Sequence, residues 1–113
     1  MVTAIPDELE EVFARGDLIA AVAQDCNNSE VLMVAWMNRE ALLVTLTTSR
    51  VTYWSRSRNE LWEKGLTSGH TQKLCAISYD CDGDAVLLKV EQNGAACHTG
   101  ERSCFHNGIE IER

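Results

Sequence analysis

The chain has 113 residues, enough for one compact domain and short for two. Hydrophobic residues make up 45% and charged residues 24%, a balance that builds a folded core and excludes a disordered segment. The formal net charge of −7 disfavours nonspecific binding to nucleic acid or to an anionic membrane surface, while leaving room for a local basic site.

The opening stretch "MVTAIPDELEEVFAR" lacks a basic start and an apolar h-region and is rich in carboxylates, so no secretory signal is read and a cytoplasmic location is expected. Pro6 followed by "DELEEVFARG" predicts a first helix. Proline sits near the first helical position, acids favour the dipole, and Gly16 terminates. Leu9, Val12 and Phe13 give that helix one apolar face. Residues 18–25 and 31–37 predict two strands joined through "CNNSE" as a hairpin. The second of them, "VLMVAWM", is the longest apolar run and far too short to span a bilayer. Asn38 caps a predicted helix over 39–50, weakened in its second half by Val44 and the threonines.

Residues 51–57, "VTYWSRS", are β-branched and aromatic and predict a strand. Residues 58–72, "RNELWEKGLTSGHTQ", are polar and glycine-punctuated and predict irregular structure. Residues 73–79 and 85–92 predict strands on either side of "DCDGD". Beyond Gly94 comes a loop bearing cysteine and histidine, then a tail whose pattern allows a last strand. With no repeats or linkers, this predicts a single domain over 1–113. It is mainly β (β-rich α+β), with about six strands and two short helices covering part of a curved sheet.

Three groups of residues carry chemistry. Asp80, Asp82 and Asp84 alternate with Cys81 and Gly83, and Asp82-Gly83 is a strong turn signal between strands. A hairpin tip there gathers hard oxygen donors suited to Mg²⁺; composition alone supports a solvated polar turn equally well. The five cysteines are an odd number, which forbids complete intrachain pairing. In a reducing compartment, clustered cysteines point to metal. Cys81, Cys97 and Cys104 have the spacing C-x15-C-x6-C, unlike common structural zinc fingers. Three thiolates suit a catalytic zinc with an open position, and His98 and His106 offer a fourth ligand for a structural one. Cys75, in an apolar strand, and Cys26, in a turn, read as ordinary reduced cysteines.

The third group is the block from Tyr53 to His70, which concentrates Trp54, Arg56, Arg58, Trp62 and Lys64 in an acidic chain. A strand reaching Arg58 would put Trp54, Arg56 and Arg58 on one face, an aromatic for a base and guanidiniums for phosphates. Thr67, Ser68 and Gly69 add hydroxyls and approachable backbone. The plainer alternative is a charge-protected edge strand with a core tryptophan.

"MNREAL", "YWSRSRNELWEKGLTSGHTQ", "DCDGD" and "CHTGERSCF", in that order, resemble phosphoribosyl-AMP cyclohydrolases of histidine biosynthesis, and the likeness covers residues 18–105. The resemblance implies that Cys81, Cys97 and Cys104 bind zinc, one ion per subunit, and that Asp80, Asp82 and Asp84 bind magnesium. It implies a barrel-like folded mixed sheet in an intertwined homodimer, with each zinc site shared between subunits. The implied reaction opens the adenine ring of phosphoribosyl-AMP at N1–C6 with a zinc-activated water. Beside that chemistry, His98 is the expected general base and His70 the second choice. Arg56, Arg58 and Lys64 are expected on the substrate phosphates. A small-molecule nucleotide is then the substrate, with no nucleic-acid or membrane partner. Some relatives carry a fused pyrophosphohydrolase; this chain is expected to be monofunctional. Ala96 stands before Cys97 where many relatives have proline, a departure that bears on the loop's stiffness rather than its ligands.

Two rival readings explain less. A zinc-stabilised interaction module accounts for the cysteines but not for the aspartates or the tryptophan–arginine block. A zinc nucleobase deaminase needs H-x-E and P-C-x-x-C; neither occurs, and the one proline is Pro6.

Overall fold

A computed structural model describes residues 4–112. Helix α1 (Asp7–Ala14) starts directly after Pro6, whose carbonyl accepts the amides of Leu9 and Glu10, both at 3.0 Å. Asp7, Glu8 and Glu10 fill its first turn, where the dipole favours anions. Leu9 and Val12 are buried, and Gly16 ends the segment at φ 84°, a conformation that glycine adopts without strain. Strands β1 (Ile19–Asp25) and β2 (Val31–Met37) form the expected antiparallel hairpin, with Ile19 opposite Met37.

Helix α2 (Arg39–Thr48) is capped by the Asn38 side chain, which accepts the Ala41 amide at 2.8 Å. It stops at Ser49, which is left-handed at φ 62°. Its threonines turn back on the helix. The buried Thr45 hydroxyl donates to the Ala41 carbonyl at 2.8 Å and accepts the Thr52 amide at 3.0 Å. Thr45 thereby ties α2 to strand β3 (Thr52–Ser55).

Strand β4 (Glu60–Glu63) pairs with β3 as a separate two-stranded ribbon. Strands β5 (Gln72–Tyr79) and β6 (Ala85–Gln92) complete a four-stranded sheet of order β2-β1-β6-β5. Only the β1–β6 pair is parallel, so the sheet is mixed. The mainly β, α+β architecture is as the sequence predicts. The sheet does not close, however: with the ribbon separate, the described residues form two sheets and no barrel.

Two further expectations fail, in opposite directions. Residues 58–72 are not wholly irregular, because β4 lies within them. Asn59, at φ 55°, turns the chain back, and Leu61 and Trp62 pack on the core while the flanking glutamates cover the ends. The tail forms no strand among its described residues. Its alternating Ile109 and Ile111 are 92% and 71% exposed, with no strand beside them to pair with. The total of six strands survives because β4 replaces the tail.

The core holds a short polar chain. The Tyr53 hydroxyl donates to Gln72 Oε1 at 2.6 Å, and Gln72 Nε2 donates to Gln92 Oε1 at 2.8 Å. These groups join the ribbon to β5 and β6, and their burial is tolerated because each has a partner. Among the described residues no helix is long and apolar enough to cross a membrane.

Candidate active site

The β5–β6 connection is the hairpin tip expected at "DCDGD". The Asp80 amide donates to the Ala85 carbonyl at 3.0 Å, and Gly83, at φ 74°, donates to the Asp80 carbonyl at 3.2 Å. A Cβ at Gly83 would lie 3.2 Å from the Glu8 carbonyl oxygen, so the tip also needs glycine to sit against α1. Asp80 Oδ1 accepts the amides of Asp84 and Ala85 at 3.0 and 3.2 Å. One oxygen each from Asp80, Asp82 and Asp84 lies within 4.8 Å of the others, all exposed.

A shared hydrogen bond lowers the Asp80 carboxyl below its ordinary range. The same bond, with the charges of Asp80 and Asp82, raises Asp84. Mutual repulsion among three hard oxygen donors is what a divalent cation relieves, and the set fits Mg²⁺. Cys81, between them, is exposed.

At the other end of β6 the chain enters the cysteine loop. Cys97 is buried, and its sulfur accepts the Thr99 hydroxyl at 3.0 Å and lies 3.8 Å from His106 Nε2. The Thr99 hydroxyl, then the Thr99 amide and His106, lower the Cys97 thiol to about 6. Cys104 lies near Cys97, and its own thiol is raised, first by burial and then by that neighbour. Two neighbouring soft donors, one of them easily ionised, fit a zinc ion.

The loop is held from several sides. Cys104 donates its amide to Leu32 at 2.7 Å, and the Ser103 hydroxyl donates to the Val31 carbonyl at 2.7 Å. Arg102 pairs with Asp25, which is only 3% exposed, and donates to the Gly94 carbonyl at 3.1 Å. Lys64 Nζ donates to the Ala96 carbonyl at 2.5 Å. Burial lowers the Lys64 pKa, and the nearby Cys104 and Cys97 oppose that shift. Asp25 and Arg102 were not singled out by sequence; the available signal was an arginine lying between two candidate ligands.

Cys97 and the exposed His98 line a cleft of about 570 Å³ together with Lys64, Thr67, Ser68 and His70. The His70 ring lies against Gly94, where a Cβ would come within 2.6 Å of it. The Gly69 carbonyl accepts Asn93 Nδ2 at 2.9 Å, which pins the turn to the end of β6. Arg58 and Trp62 lead into a second cleft, of about 690 Å³, lined also by Trp36, Trp54 and Arg56. The strand does not reach Arg58, as it ends at Ser55. The following turn, not strand periodicity, puts Trp54, Arg56 and Arg58 around one cleft. Arg56 sits 4.5 Å over the Trp36 ring, and Arg58 lies beside Glu60 at 3.5 Å. Trp36 went unmarked because it is embedded in an apolar run.

Cys81 does not join the other two thiols. The eight residues of β6 alone span about 23 Å at ~3.3 Å per residue, with Cys81 before the strand and Cys97 after it. One chain therefore presents a thiol pair at one end and a thiol with three carboxylates at the other.

Thiols, a carboxylate triad and an aromatic–basic cleft on one small β-rich domain are the equipment of a nucleotide hydrolase. Comparison narrows the class. Residues 33–106 match the phosphoribosyl-AMP cyclohydrolase family, and the chain belongs to that family. It is 60% identical over 103 residues to a phosphoribosyl-AMP cyclohydrolase of Hyphomonas neptunium, covering 91% of this chain and 79% of that protein. It is 59% identical over 100 residues to the phosphoribosyl-AMP cyclohydrolase of Trichormus variabilis, covering 88% and 86%. A histidine biosynthesis bifunctional protein of Synechocystis is 66% identical over 90 residues, which are 79% of this chain and 42% of that one.

Proposed function

We propose that the chain hydrolyses the N1–C6 bond of the adenine ring in phosphoribosyl-AMP, as a cytoplasmic enzyme of histidine biosynthesis. Water adds across the bond, and the opened ring leaves a formimino group on an imidazole carboxamide. The observation that carries this reading is the cleft that Cys97 lines with His98, His70, Thr67 and Ser68, which shares Arg58 and Trp62 with the tryptophan–arginine cleft.

Cys97 and Cys104 would hold zinc together with Cys81 of a second copy, because Cys81 of the same chain is a strand length away. Bound there, zinc would supply an acidified water beside C6. His98, exposed in the cleft beside Cys97, would take a proton from the attacking water and return it to the departing N1. His70, held against Gly94, orients the ring. Trp54 offers a stacking face, and Arg56 and Arg58 take the phosphates. Lys64 is committed to the Ala96 carbonyl, so its charge favours the thiolates as much as a phosphate. Thr67 and Ser68 supply hydrogen bonds at the cleft wall, while Gly69 lies outside that lining and holds the turn through its carbonyl bond from Asn93. Asp80, Asp82 and Asp84 would hold Mg²⁺ where it orders substrate phosphate.

The test is ring opening of phosphoribosyl-AMP, followed optically, with metal content measured on the same sample. Turnover that tracks zinc content is expected. A folded, fully metal-loaded protein without turnover would favour the zinc-stabilised interaction module instead.

A further inference from the structure

Two cysteines outside the site come together from 49 residues apart in sequence. Cys26 Sγ and Cys75 Sγ are 3.4 Å from one another, and a Glu91 carboxylate oxygen lies within 4.8 Å of both. Three neighbouring strands produce this. Cys26 follows β1 directly, and its amide donates to the Val90 carbonyl at 2.9 Å, which sets it beside Glu91 on β6. On the other flank, β5 has a bulge between Leu74 and Ala76, with Cys75 as the extra residue. A bulge re-aims a side chain, and here the re-aimed group is a thiol. Along β6, Leu88, Val90 and Gln92 are buried while Lys89 and Glu91 are exposed, so the three donors gather on the solvent face.

We propose that Cys26, Cys75 and Glu91 form a second metal site, for a soft divalent ion of the zinc and cadmium class, separate from the Cys97–Cys104 pair. Tetrahedral ligands about 2.3 Å from a zinc ion put two sulfurs roughly 3.8 Å apart. The observed pair needs to open by only a few tenths of an ångström. Two thiolates select such an ion over Mg²⁺ or Ca²⁺, and the carboxylate completes a three-donor set with water as the fourth ligand. Glu91 makes no ion pair among the described residues, although Lys73 stands opposite it on β5. Neither cysteine is disulfide-bonded. Burial and the bond to Cys26 hold the Cys75 thiol above its ordinary value, so binding displaces a proton and weakens as pH falls. An ion there would link β1 to β5 across β6 and stabilise the sheet by mass action.

The experiment titrates Cd²⁺ into the reduced, chelator-stripped full chain. Bound cadmium per chain and the thiolate-to-cadmium charge-transfer band are measured for wild type and for Cys26→Ser/Cys75→Ser. Wild type should hold one more cadmium per chain and show a larger thermal shift. Glu91→Gln should weaken that ion's binding about tenfold, a difference of ~1.4 kcal/mol. Ring opening should be unchanged in both variants. The count is a difference, so it stands whatever Cys97 and Cys104 bind. Should the double variant fail to fold, Cys75→Ala at its exposed position gives the same comparison. Equal cadmium counts would overturn the site. So would a Cys26–Cys75 pair that stays oxidised, two hydrogens lighter, when isolated under thiol reductant.

Discussion

The hairpin tip and the cysteine loop flank the same strand and are built on opposite terms. At the tip, Asp80 accepts hydrogen bonds from its own loop, and no cation of the chain pairs with any of the three aspartates among the described residues. The cysteine loop instead draws on β2, Lys64, Gly94 and the buried Asp25. One end is an exposed set of unneutralised donors, and the other is fixed by the core before any ligand arrives. The difference teaches why we propose a centre shared between two copies: one chain offers a projecting half with carboxylates and one thiol, and a receiving half with two thiols and a cleft.

The largest effect should come from the receiving half. Cys97→Ser or Cys104→Ser should abolish zinc binding and ring opening while leaving the circular dichroism spectrum near wild type. On the proposed reading the thiols hold a ligand rather than the core. Global unfolding of both variants would instead make the zinc structural.

The loop's anchorage should cost less than everything but more than a surface change. Arg102→Ala leaves a nearly buried Asp25 carboxylate with only the amides of Asn27 and Asn28. A loss of about 2 kcal/mol in denaturant stability is expected for an under-satisfied buried acceptor, together with weaker zinc retention. Stability within a few tenths of wild type would show that the loop does not depend on this pair.

At the projecting half, Asp82→Asn should weaken magnesium activation while zinc stays bound, because hard and soft donors serve different ions. An unchanged magnesium titration would remove the aspartates from that role.

The smallest expected effect sharpens the contrast through pH. In metal-free protein the Cys97 thiol is depressed to about 6, against an ordinary thiol value of about 8.5. Its ionisation therefore favours the folded state fully above the ordinary value, and that contribution is lost as pH falls through about 6. Thiolate absorbance of the chelated protein should rise with a midpoint near 6, a step that Cys97→Ser removes. A midpoint at the ordinary thiol value would contradict the pre-set loop.

Local chemistry was legible in the sequence wherever one short stretch decided the outcome. Asp82-Gly83 placed the hairpin tip, Asn38 placed the start of α2, and apolar stretches bounded by turn residues placed β1 and β6. Legibility failed where partners lie far apart. β4 was hidden because a four-residue strand with glutamate at both ends carries little apolar signal, and pairing with β3 decides it. The short tail, with Ile109 and Ile111, allowed a last strand, and among the described residues no neighbour completes one. Asp25 with Arg102, and Cys26 with Cys75, span 77 and 49 residues, distances that local pattern does not encode. The clefts were legible as composition but not as geometry, since a turn rather than a strand aims Arg56 and Arg58.

The central claim is that one chain's Cys81 completes another chain's Cys97–Cys104 pair, and mixed dimers test it directly. Cys81→Ser and Cys97→Ser should each be inactive alone. After subunit exchange, each mixed dimer has one site bearing both lesions and one site with every ligand intact, because twofold symmetry makes the sites equivalent. Random exchange should then restore about a quarter of wild-type ring-opening sites, with zinc in the same proportion. No recovery of activity or zinc, with exchange demonstrated by mass on the same sample, would contradict the shared site.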